Sequence, residues 1–115
     1  MLIVEDDRDL RRIFAETLSL AGFRVLEVDD GVTALQMIEN DPPHLVILDL
    51  TLPMLDGLSV RAEMASHGDT RDIPVVVVTG RSEGFSKKLR DQDCVLRKPI
   101  TPERLVATVR QCLAA

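Results

Sequence analysis

The sequence contains no tryptophan and no tyrosine, and its only aromatics are Phe14, Phe23 and Phe85. So little aromatic surface disfavours a base-stacking platform for single-stranded nucleic acid. Cysteine is equally sparse. Cys94 and Cys112 form no CxxC and have no histidine pair nearby, which argues against a disulfide framework and a zinc site and fits a reducing, cytoplasmic setting. No apolar run approaches the roughly 18 residues of a membrane span. Met1 leads straight into Leu2-Ile3-Val4 and then into acid without a basic segment, so neither membrane insertion nor export is expected. Positive charge is also short: 14 lysines and arginines against 19 aspartates and glutamates give a formal net charge of -5. That sign works against direct nucleic-acid binding.

What remains is a globular balance, 45% hydrophobic and 29% charged over 115 residues, sufficient for one core and one domain spanning 1–115. Short apolar runs recur at Leu2 to Val4, Phe23 to Val28, Leu45 to Leu48, Val75 to Val78 and, more weakly, Cys94 to Leu96. Runs without polar alternation, such as Val75-Val76-Val77-Val78, suit strands covered on both faces. Between them, Leu10, Ile13, Phe14, Leu18 and Ala21 keep helical spacing ahead of Gly22. Asp30 is placed to cap Val32 to Glu39, Asp56 to cap Leu58 to Ala65, and Thr101 with Pro102 to open Glu103 to Leu113. A short, exposed helix is expected between Ser82 and Asp91. Strands alternating with helices predict a doubly wound parallel α/β domain of the (βα)5 type.

In such sheets the working edge lies beyond the carboxyl ends of the strands. There this sequence places Glu5-Asp6-Asp7, Asp49, Thr79-Gly80 and Lys98-Pro99. Each has an ordinary reading, as helix cap, loop acid, turn or solvated lysine. Their coincidence at separate strand ends favours one site. Two or three hard carboxylates suit Mg2+ or Mn2+, and with Lys98 and Thr79 opposite they could bind a phosphoryl group and support its transfer onto an aspartate. Lys87-Lys88 and Arg11-Arg12 read as solvated faces, and Met37, Met54 and Met64 as core filling.

These residues resemble the receiver domain of two-component response regulators over essentially the whole chain. The resemblance is carried by Val4-Glu5-Asp6-Asp7, by the run from Asp49 to Gly57, by Val78-Thr79-Gly80 and by Lys98-Pro99. It implies a flavodoxin-like sheet of order 2-1-3-4-5. It makes Asp49 the phosphoacceptor and gives Mg2+ the ligands Glu5, Asp6, Asp49 and the Thr51 carbonyl, with Asp6 as the direct ligand of the acidic pair. Lys98 would contact the phosphoryl oxygens, Thr79 would move towards them, and Pro99 would follow a cis peptide. Thr51 and Arg81 would tune hydrolysis of the acyl phosphate.

The implied function is a phosphorylation-operated switch that catalyses only its own phosphorylation and dephosphorylation. Its donor would be a sensor histidine kinase or a histidine phosphotransfer protein. Output or homodimer formation would run through the helix after the fourth strand, the fifth strand and the last helix. Two departures bear on that output. Val95 stands where the family usually has tyrosine or phenylalanine, and Thr79 and Lys98 are only 19 positions apart, with Gln92-Asp93 replacing the usual Gly-Ala. Competing readings are a small aspartyl-nucleophile phosphohydrolase and a phosphorylation-independent interaction module. A flavin-binding domain is weaker still, since Glu5-Asp6-Asp7 would repel its phosphate.

Overall fold

The computed structural model describes residues 1–50, 52, 55–80 and 94–114. Five strands form one sheet: β1 (Leu2–Val4), β2 (Leu26–Val28), β3 (Val46–Asp49), β4 (Val75–Thr79) and β5 (Cys94–Arg97). Their order is β2-β1-β3-β4-β5 and every pairing is parallel. Four described helices cover it: α1 (Arg8–Leu20), α2 (Gly31–Asn40), α3 (Gly57–Ser66) and α4 (Pro102–Ala114).

Alternation along the strands explains their unbroken apolar runs. Leu2, Val4, Val46, Leu48, Val75 and Val77 face Ala34 and Ile38 of α2 and Val60 and Met64 of α3. Ile3, Ile47, Val76, Val78 and Leu96 face Phe14 and Leu18 of α1 and Leu105, Val109 and Cys112 of α4. Each residue of the central strands β1, β3 and β4 is therefore buried on one side or the other, as a parallel sheet between two helical layers requires, while the edge strands β2 and β5 are partly exposed.

The helices begin where the sequence offers oxygen caps. Asp7 Oδ1 accepts from the amides of Asp9 and Leu10, Asp30 Oδ1 from Thr33 and Asp56 Oδ1 from Ser59. The Thr101 hydroxyl accepts from Arg104 N–H at the start of α4. Gly22, just past α1, has φ +98°, a conformation that glycine adopts without steric cost.

Strand β2 is shorter than its apolar run suggests. It pairs only with three-residue β1, so Leu26–Val28 are in register with Leu2–Val4, while Phe23 and Val25 turn inward against the α1/α4 core. The helix expected between Ser82 and Asp91 lies outside the described residues, as does Met54. Met64 is buried and Met37 half-buried, as core filling requires.

A carboxylate and lysine site at the strand ends

Two strands deliver the acidic groups. Glu5 and Asp6 follow β1, Asp49 closes β3, and β1 and β3 are hydrogen-bonded neighbours. One oxygen each of Glu5, Asp6 and Asp49 lies within 4.8 Å of the other two. Glu5 and Asp49 are almost fully enclosed, at 1% and 3% exposure, whereas Asp6 opens to solvent. The pocket is thus walled by two acids and entered past the third.

Lys98 closes it from β5. Its backbone N–H donates to the Thr79 carbonyl at 2.8 Å, which ties the start of the lysine loop to the end of β4. Its Nζ then reaches Asp49 Oδ2 at 3.2 Å and Glu5 Oε1 at 3.6 Å. Burial works against the ammonium charge, but the attraction of Glu5 and Asp49 outweighs it and the Lys98 pKa is raised. The peptide between Lys98 and Pro99 is cis, as the resemblance implied.

Glu5 carries the opposite tension. Burial, reinforced by the neighbouring Asp49 carboxyl, pushes its pKa to about 8, against the stabilising bond from Asp7 N–H to its Oε2. Its other oxygen, Oε1, is buried with no hydrogen-bond partner among the described residues. An enclosed carboxylate oxygen with no hydrogen bond, its one cationic neighbour Lys98 Nζ standing off at 3.6 Å, beside two further carboxylates, is what a hard divalent cation would satisfy. The donor set fits Mg2+.

The ambiguity between cap and ligand resolves by position: Asp7 caps α1, leaving Asp6 to face the pocket. Thr79 ends β4 and is buried at 2% exposure. Thr51 and Arg81 lie outside the described residues. Val95 is exposed on β5, on the face opposite Cys94 and Leu96.

One contributor corrects the sequence reading. Arg11, expected on a solvated face, instead donates from Nη1 to the Glu5 carbonyl at 2.9 Å and pairs with Glu27 through Nε at 3.4 Å. It ties the exit of β1 to the first helix. In sequence only its place one turn after the Asp7 cap marks it, a place that a solvated arginine would share.

The α3 N-terminus also abuts the site. Gly57 N–H donates to Leu50 O at 3.1 Å, and a Cβ on Gly57 would collide with the Asp49 carbonyl and lie 2.6 Å from Leu50 Cα. Only glycine permits this approach.

Comparison with known proteins agrees with this geometry. A family model described as the response regulator receiver domain matches residues 1–110. Response regulator MprA of Mycobacterium ulcerans (strain Agy99) is 40% identical over 116 aligned residues, covering 98% of this chain and 49% of that protein. The chain therefore spans about half the length of the curated relatives it matches. Among solved structures, a response regulator from Chloroflexus aurantiacus J-10-fl superposes with TM-score 0.90 at 29% identity, over 99% of this chain and 96% of that one. The receiver domain of a sensor histidine kinase from Pseudomonas aeruginosa PAO1, with magnesium coordinated in its active-site cleft, gives TM-score 0.90 at 25% identity over the same shares. The strand order, the acidic cleft and these likenesses agree, and the chain belongs to the response regulator receiver domains, the phosphorylation switches of two-component signalling.

Proposed function

We propose that Asp49 is the residue phosphorylated, with Mg2+ held by Glu5, Asp6 and Asp49 and by the Thr51 carbonyl that the family scheme adds. The observation that carries this is the convergence of Lys98 Nζ, 3.2 Å from Asp49 Oδ2, with three carboxylates whose oxygens lie within 4.8 Å of one another. When bound, the cation would neutralise the acids and polarise the transferring phosphoryl oxygens.

The chain's own residues supply the rest. An Asp49 carboxylate oxygen attacks phosphorus in line, the N–P bond of a phosphohistidine breaks, and the imidazole nitrogen keeps the electron pair. Lys98, already beside that carboxylate, balances charge on the phosphoryl oxygens as it arrives. The product is an acyl phosphate adding nearly two negative charges at the end of β3. Thr79 then turns towards the new oxygens and shifts a pre-existing equilibrium. Thr51 and Arg81 set how fast water reaches the acyl phosphate, so the chain catalyses its own dephosphorylation and no other hydrolysis.

The donor is a sensor histidine kinase or histidine phosphotransfer protein in the cytoplasm, and the downstream target is an effector domain, a partner protein or a second copy. Mn2+ is expected to substitute for Mg2+, since both accept oxygen ligands. Incubation with Mg2+ and acetyl phosphate is expected to add one phosphoryl group by intact mass, and Asp49→Asn to abolish it. No adduct, or one that persists in Asp49→Asn, rejects the assignment. Continuous multiple-turnover phosphate release from a generic ester would favour a phosphohydrolase instead.

A further inference from the structure

The phosphoryl chemistry leaves both cysteines unused, yet the fold brings them together. Cys94 opens β5 and Cys112 stands in the last turn of α4. Cys94 is half-buried and, like Leu96, packs on the face of the sheet covered by α1 and α4. Cys112 belongs to the same cluster, is 3% exposed, and holds its Sγ 3.9 Å from the Val75 carbonyl oxygen.

That carbonyl also locates Cys94. The β4–β5 register pairs Val76 with Cys94. Further along the same ladder, Lys98 N–H donates to Thr79 O. The phase this sets directs the Val75 carbonyl towards the Cys94 amide. One backbone oxygen is therefore adjacent to both residues, on the same side of the sheet.

We propose that Cys94 and Cys112 are a peroxide-responsive thiol pair that closes an intrachain disulfide between β5 and α4. The oxidant is hydrogen peroxide, and the more accessible Cys94 reacts first. Its sulfur attacks the peroxide, the O–O bond breaks, and Cys94 sulfenic acid and one water form. The Cys112 thiol then attacks that sulfur, the S–O bond breaks, and a second water leaves. The two thiols lose two electrons, hydrogen peroxide gains them, and two protons end in the released water. Thiol–disulfide exchange with a small dithiol reverses the bond. Such a crosslink would fasten the sheet's edge strand to the helix covering it, 18 positions later in the chain. Neither cysteine belongs to the acidic pocket, so the proposal stands independently of the role assigned to Asp49.

The test treats the full chain with hydrogen peroxide, alkylates the remaining thiols, and reads intact mass and non-reduced tryptic peptides. The expected product is a monomer lighter by two hydrogens, carrying no alkyl group, with the Cys94 and Cys112 peptides joined and released by dithiothreitol. Cys94→Ser and Cys112→Ala should each lose that product completely. Because Cys94 is only half-buried, Cys94→Ser tests the pair even where Cys112→Ala disturbs the core. Asp49→Asn should oxidise like the parent. Two alkylated thiols, a covalent dimer in place of the monomer, or Cys94 sulfinic acid beside alkylated Cys112 would each overturn the pairing.

Discussion

Glu5, Asp6 and Asp7 are consecutive acids with three different environments: one buried in the pocket, one at its mouth, one turned back onto the helix it begins. Substitutions should separate them. Asp7→Ala removes the oxygen that accepts from Asp9 and Leu10 and is expected to lower stability by about 1 kcal/mol in urea unfolding, with acetyl phosphate labelling retained. Lys98→Ala takes the ammonium from between Glu5 and Asp49 and should slow labelling by at least about tenfold, read from the initial rate of adduct formation. Asp49 was legible in sequence because it directly follows an apolar strand run, and Lys98 because the last such run leads to it through Arg97. Arg11 was not, because an arginine pair on a helix has the same pattern whether it meets solvent or reaches back to a strand end. The buried Arg61 of α3 escaped for a related reason, since that helix has no clear apolar stripe to mark its inner face.

At the scale of the element, the helix N-termini and the short strands set the precision of the site. Gly57 lets α3 begin against the backbone of Asp49, so Gly57→Ala should cost about 1–3 kcal/mol through overpacking, measured by denaturant midpoint, and should also disturb labelling. Asp30 shows a milder dependence. Its pKa is lowered by hydrogen bonds from the Thr33 amide and hydroxyl, so its contribution is complete at neutral pH and is lost as pH falls through the depressed value. The protection factor at Thr33, taken relative to intrinsic exchange at each pH, should fall over that acid range, and Asp30→Ala should remove that fall. Element identity was readable because caps, glycines and buried runs agree. Element length was less so: β2 stops where its partner stops, a tertiary limit that Phe23 to Val28 does not encode locally.

For the molecule as a whole, the acidic pocket links ligand occupancy to folding. A divalent cation bound only by the native chain adds about 2.7 kcal/mol at a hundredfold excess over its Kd. The thermal midpoint should therefore rise with Mg2+, return with a chelator, and respond much less in Asp6→Asn. Fold class and strand order followed from alternation and family resemblance together. Output does not follow from either, since Val95 is exposed and the segment before β5 departs from the usual pattern.

The sheet also divides the interior into two apolar compartments that share strands but not side chains. Ile38→Val on one side and Val109→Ala on the other should destabilise additively to within about 0.5 kcal/mol in a double-mutant cycle, since separated sites without shared partners rarely couple. The compartments meet along the β-strand backbones, whose carboxyl tips carry the charged pocket. A charge arriving there touches both helical layers at once, since α3 begins against the Asp49 backbone and Arg11 of α1 is bonded to the Glu5 carbonyl.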